Sequence, residues 1–153
     1  MAPTPTETTT SPVTRQPSGT GPAADPTAAG IELTVIAWPD PVIEGLPGAM
    51  PTASDDALVW WTPFVGTIGM VMAHRFAAQA ADGPSRWSIE DIAGTFGIAA
   101  TPARVLRVID RLERFAIIRR RGNTIAVRLW LPPLTERQRR RLPAYLADAW
   151  DTR

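Results

Sequence analysis

The residues best placed to do chemistry are arginines. Arg104, Arg107, Arg111 and Arg114 recur at three- and four-residue spacing; at about 100° per residue they fall within about 80° of one another on a helix. A second group follows: Arg119, Arg120 and Arg121, then Gly122 and Asn123, with Arg128 beyond. A guanidinium is a planar fork of donors that pairs two at a time with a phosphate or with the guanine edge. From Arg104 to Arg141 there are twelve arginines and three acids, a charge of +9 in 38 residues. That density favours a polyanionic partner. Each group also has an ordinary reading. The helical set suits a solvated face on which Asp110 pairs Arg107 and Arg114. The second set suits edge-strand charge that blocks aggregation.

Other chemistry is thinly represented. Cysteine is absent and His74 is the single histidine, which excludes disulfides, thiolate zinc sites and multi-histidine metal sites. His74 reads as a partly buried helix residue. Asp55 and Asp56 are adjacent, so they do not face one another on a helix and read as helix-start charge. Trp38, Trp60, Trp61 and Trp87 read as core and arm packing. No P-loop, G-x-S-x-G, H-E-x-x-H or dinucleotide fingerprint occurs, so an enzyme is not expected, nor a cofactor or metal.

The net charge of +1 hides a split. Residues 1–83 hold two Arg and eight acids (−6); residues 84–153 hold fourteen Arg and seven acids (+7). The whole chain has 153 residues and is 44% hydrophobic, enough for one domain with a core. The longest uncharged run, Ala57 to Ala73, has 17 residues and contains Pro63, Gly66 and Gly69. A spanning helix needs about 20 predominantly apolar residues, so this run reads as a core helix. The opening MAPTPTETTT has neither the basic start nor the apolar run of a secretory leader, and a cytoplasmic location is expected.

The elements that must position the arginines can be read in order. Residues 1–30 are rich in Thr and Pro and poor in large aliphatics, which predicts a disordered tail. Residues 31–53 read as an irregular arm with a short strand at 31–38. Ser54 is a cap candidate ahead of Asp55, and Thr62-Pro63 predicts the main first helix at about 63–81. Ser88 with Asp91 three residues on is a capping-box pattern, followed by a helix from Ile89 to Phe96 with its turn at Gly97. Thr101-Pro102 opens a helix to about Phe115, with Val105, Val108, Ile109, Leu112 and Ala116 as its apolar stripe. Strands at 117–120 and 124–131 are joined through Gly122-Asn123, whose positive φ suits a tight turn. A last helix at 135–150 starts at Thr135 with Gln138 as capping partner, and Pro143 kinks or restarts it. Arg137, Arg139, Arg140 and Arg141 at its start oppose the helix dipole, which an anionic ligand would offset.

Helices at 88–115 followed by a hairpin at 117–131 form a helix-turn-helix with a wing. Segment 89–118 (IEDIAGTFGI…VLRVIDRLERFAII) resembles winged helix-turn-helix regulators of the MarR-like kind. Ala93 matches the small residue of their second helix, Gly97 the turn glycine, and VIDRLER the body of their third helix. The resemblance covers about residues 63–131; the turn between Ile98 and Val105 is longer than theirs and contains Pro102. WTPFVG and LPPLTERQRRRLP also resemble a group of small winged-helix proteins from GC-rich bacteria. The expectation is an α+β, mostly helical winged-helix domain over 54–153 that binds double-stranded DNA as a transcription regulator. Its DNA contacts would come from Arg104, Arg107, Arg111, Arg114, Arg119, Arg120, Arg121, Asn123 and Arg128, with Arg104 and Arg107 at base edges. The alternative is a protein adaptor whose arginine face meets an acidic partner. The apolar edge of Leu142, Leu146 and Trp150 offers a homodimer contact, or else packs within the chain on residues 31–50; the sequence leaves both open.

The composition of residues 1–30 generates a first prediction: deleting them leaves the thermal melting midpoint nearly unchanged. A loss of several degrees in a calorimetric scan would contradict a tail that contributes nothing to the core.

Overall fold

The strand expected at residues 31–38 forms as β1 (Glu32–Trp38) in a computed structural model that describes residues 30–153. The expected tail lies outside the described residues except for Gly30. β1 is an interior strand. It pairs antiparallel with β3 (Ser85–Ser88) on one side and parallel with β5 (Thr124–Arg128) on the other. β4 (Ile118–Arg121) completes the order β3-β1-β5-β4 by an antiparallel hairpin with β5. Residues 32–38 thus lie in the same sheet as strands from the second half of the chain.

Between β1 and β3 the chain forms α1 (Pro41–Glu44), β2 (Met50–Pro51), α2 (Asp55–Val65) and α3 (Thr67–Asp82). The expected irregular arm thus contains a helical turn, capped by Asp40 on the Ile43 N–H, and a second small ladder. The main first helix begins later than the predicted residue 63. Pro63 is accommodated inside α2; its missing N–H leaves only the carbonyl of solvent-exposed Val59 without a helical donor, and water can serve that group. The break falls at Gly66, whose φ of 91° redirects the chain; an L-side chain rarely adopts that conformation. Its N–H closes α2 on the Thr62 carbonyl at 2.8 Å and its own carbonyl opens α3 on the Met70 N–H at 3.0 Å.

After β3 come α4 (Ile89–Phe96) and α5 (Pro102–Arg114), then the hairpin, β6 (Trp130–Leu131), α6 (Glu136–Arg139) and α7 (Ala144–Asp151). Helices make up 52% of the structure, and the fold is α+β. β3 was not expected: Ser-Arg-Trp-Ser has one apolar residue, and its pairing with β1 rather than its own pattern makes it a strand. The second hairpin strand is shorter than the predicted 124–131. Its neighbour β1 stops before Pro39, which has no N–H, so the chain leaves the sheet at Leu129 and β6 pairs instead with β2.

Leu33, Val35, Trp87, Ile118, Ile125 and Val127 line the inner sheet face. Met72, Phe76, Ile92, Ile109 and Leu112 from α3, α4 and α5 join them in one core. Burying these apolar surfaces supplies most of the drive to fold. The expected C-terminal helix is split, with Pro143 as the N-cap residue of α7. Leu142 and Leu146 are each 8% exposed, and Trp150 meets Trp60 edge-on at 4.9 Å. Of the two readings left open for this apolar edge, packing within the chain is the one seen, with Trp150 on α2 rather than on residues 31–50. No described helix is long and apolar enough to cross a membrane.

The interior position of β1 predicts that Leu33→Ala lowers unfolding free energy by about 2–5 kcal/mol, the range for a leucine deleted from a packed core. Urea unfolding measures it; a change well below 1 kcal/mol would contradict an interior strand.

Candidate nucleic-acid interface

α4 starts as the sequence predicts. Ser88 Oγ accepts from the Asp91 N–H at 2.9 Å, and the Asp91 carboxylate accepts from the Ser88 N–H. Ile89, Ile92 and Ala93 are buried, and Gly97 closes the helix. Residues 97–101 lead into α5. Thr101 occupies the N-cap position, but its side chain makes no capping bond; only Pro102 at the first turn follows the expectation. The apolar stripe of α5 buries Val105, Ile109 and Leu112, while Val108 is half-buried. Ala116 is exposed, not part of the stripe, and adopts φ 55°. The Ala116 and Ile117 N–H groups donate to the Glu113 and Leu112 carbonyls, the two bonds of a Schellman motif.

Arg104, Arg107, Arg111 and Arg114 are all exposed on one side of α5. The acids of the same helix turn elsewhere. Asp110 pairs with Arg120 of β4 at 3.2 Å rather than with Arg107 or Arg114. Glu113 accepts the Arg120 backbone N–H at 2.9 Å, which blunts the outer edge of β4. Arg111 donates to the Phe64 carbonyl at 3.0 Å, tying α5 to the end of α2. Among the described residues Arg104, Arg107, Arg114 and Arg121 make no ion pair.

The hairpin separates its own arginines. Arg121 and Thr124 flank a two-residue turn in which Gly122 alone takes a positive φ, 58°. Arg120 shares the inner sheet face with Ile118 and reaches α5. Arg119 and Arg128 alternate to the opposite face, where their guanidinium carbons lie 4.2 Å and 3.8 Å from the centre of the Trp38 ring. Arg128 also donates to the Ala116 carbonyl at 2.7 Å and pairs with Asp40. Asn123 uses its carbonyl to accept from Thr34 N–H at 2.8 Å. The nine expected residues thus form two sets. Arg104, Arg107, Arg111 and Arg114 present one continuous face, with Arg121 and Asn123 at the hairpin tip. Arg120 and Arg128 serve contacts inside the fold, and Arg119 is exposed but lies over the Trp38 ring.

Asp40 and Trp38, the partners of Arg128, were not legible as site-forming residues, because Asp40 and Arg128 lie 88 residues apart in sequence. The arginines of α6 also differ from expectation. Thr135 and Gln138 form the expected capping box, but the helix has four residues and ends at Arg139. Arg139 and Arg140 both pair with Glu136, so the opposed dipole needs no ligand at those two positions. The hydrogen bond from Arg140, with the charge of Arg139, holds Glu136 below the usual carboxylate range.

Comparison with protein-family models, with curated proteins and with solved structures gives no match to this chain.

The Arg128 hydrogen bond, reinforced by the Ile43 N–H, holds the Asp40 carboxyl below its ordinary value. A carboxylate lowered in this way stabilises the fold fully above its unfolded pKa of about 3.9 and loses that contribution as pH falls to its folded value. Asp40→Asn is therefore expected to melt below the wild type near neutral pH, with the gap closing in acid. A gap of the same size at every pH would remove the ion pair as its cause.

Proposed function

We propose that this protein is a winged-helix, double-stranded DNA-binding protein that acts as a transcription regulator. The observation that carries the proposal is the face of α5, where four exposed arginines stand together while Asp110 and Glu113 are engaged by the hairpin. A helix with one side in the core and an all-cationic opposite side is suited to lie in a major groove. In this reading α4 braces the backbone and α5 enters the groove. Arg104 and Arg107, toward its N-terminal end, meet base edges, where a bidentate pair with guanine discriminates sequence. Arg121 and the compact Gly122-Asn123 tip approach the sugar-phosphate chain. Membership among MarR-like regulators belongs to the same proposal and rests on the residues of segment 89–118.

A second reading has its own support. Ile68 and Val71 on α3 are 42% and 43% exposed, and Ile68 lies beside Arg107 and Arg111. An apolar patch next to arginines also suits an acidic protein partner, with the chain as an adaptor. Salt dependence and competition separate the two readings. DNA binding weakens linearly in log salt as counterions are released, and unlabelled duplex abolishes it.

For the DNA reading, Arg107→Ala costs about 1–3 kcal/mol of binding and relaxes sequence preference. Arg121→Ala weakens all sequences alike and lowers the salt slope by about one. Gel shifts against fragments of the source genome supply both numbers. A wild-type protein with no affinity for duplex at low salt would end this reading in favour of the adaptor.

A further inference from the structure

The arginine face of α5 does not end with the helix. A cavity of about 500 Å3 lies between the corner joining α2 to α3 and the side of α5, with Ile68 and Val108 on its floor and Arg107, Arg111 and Arg114 on its wall. A smaller cavity continues from it, shares Arg111 and Arg114, and adds Phe115. A third, of about 490 Å3, shares Phe115 and is walled by Phe64, Arg137 and Arg141. Shared lining residues make these one trough from α5 to α6. It holds five arginines on a floor of half-buried and exposed apolar side chains, and no acidic residue lines any part of it.

The charge is sorted on both helices in the same way. On α5 the acids pair toward the hairpin and leave Arg107, Arg111 and Arg114 to the trough. On α6 Glu136 takes Arg139 and Arg140 on the far side, where a separate cavity is lined by all three. That leaves Arg137 and Arg141, four residues apart, on the trough side, with no ion pair among the described residues. Confining cations to one groove raises their mutual repulsion, and an anion with regularly spaced charges relieves it.

We infer that the trough is a phosphate track in which Arg111, Arg114, Arg137 and Arg141 hold the backbone of one strand of the duplex whose major groove receives α5, with Arg107 at its end left to the base edges. This rests on the DNA reading above and extends its contact surface to α6, which the expected DNA contacts did not include. Guanidinium forks hold phosphate oxygens in pairs. The apolar floor accepts the faces of the sugars between them. Arg111, fixed on the Phe64 carbonyl, keeps the two ends of the trough in register.

The test compares two double variants of equal charge in the full-length chain. Arg137→Ala with Arg141→Ala removes the trough arginines in and just after α6. Arg139→Ala with Arg140→Ala removes the pair on the far side. Fluorescence anisotropy with a labelled duplex of mixed sequence is followed against salt, with thermal melts to confirm that both variants fold. The track predicts that the first variant loses about 1.8 from the slope of log affinity against log salt, at about 0.9 per phosphate, while the second keeps the wild-type slope within experimental error. Equal losses in both variants, or none in the first, overturn the track while leaving the DNA reading intact. A wild type with no duplex affinity overturns both. If the first variant instead loses binding to poly-glutamate while duplex binding is unchanged, the trough belongs to an acidic protein and the inference fails.

Discussion

Arg128 touches three pieces of chain at one point. Its guanidinium pairs with Asp40 at the start of α1, donates to the carbonyl of Ala116 beyond the end of α5, and lies over the Trp38 ring at the end of β1. The N-terminal strand, the arginine-bearing helix and the hairpin are thereby fixed to one another at a single side chain. The contact with Ala116 also bears on the one described non-glycine residue at positive φ. A left-handed alanine costs roughly 1–2 kcal/mol relative to a helical one. The Schellman bonds and the Arg128 donor offset that cost, and they set the direction in which the chain leaves α5 for β4.

Most of the local structure was legible because it is written in nearest-neighbour chemistry. Ser88 with Asp91 and Thr135 with Gln138 are capping boxes in both sequence and structure, and α4 has the predicted ends. The stripe of α5 was legible for the same reason, except at Ala116, where the helix had already ended. What was not legible depends on distant partners. β3 is a strand because β1 lies beside it, and the short β5 reflects where β1 stops. Pro63 carried too much weight as a helix start, since a proline late in a helix whose freed carbonyl faces water breaks little. The helical break belongs to Gly66.

The candidate site shows the same division. Helical spacing was enough to gather Arg104, Arg107, Arg111 and Arg114 on one face, and the structure gathers them there. Spacing alone could not say where the acids would turn. Asp110 sits three residues from Arg107 and four from Arg114, yet it pairs with Arg120 on the hairpin. One cross-element pair thus decides whether α5 presents a neutralised surface or a cationic one. Strand alternation likewise divided Arg119 and Arg120, but only the position of Trp38 shows that Arg119 and Arg128 share one aromatic ring.

The placement of β1 bears on how the molecule is made. During synthesis β1 has both edges unpaired until β3 and then β5 have been made, because Leu33 pairs with Trp87 and Thr34 with Thr124. Its sequence, ELTVIAW, is β-branched and apolar, with a single charge. Such a segment is prone to pair with other chains while it waits. The parallel partner cannot be supplied by a local hairpin, so loop closure over most of the domain precedes the completion of the sheet. The sheet is therefore completed only once the C-terminal half, which carries the arginine surface, has been made.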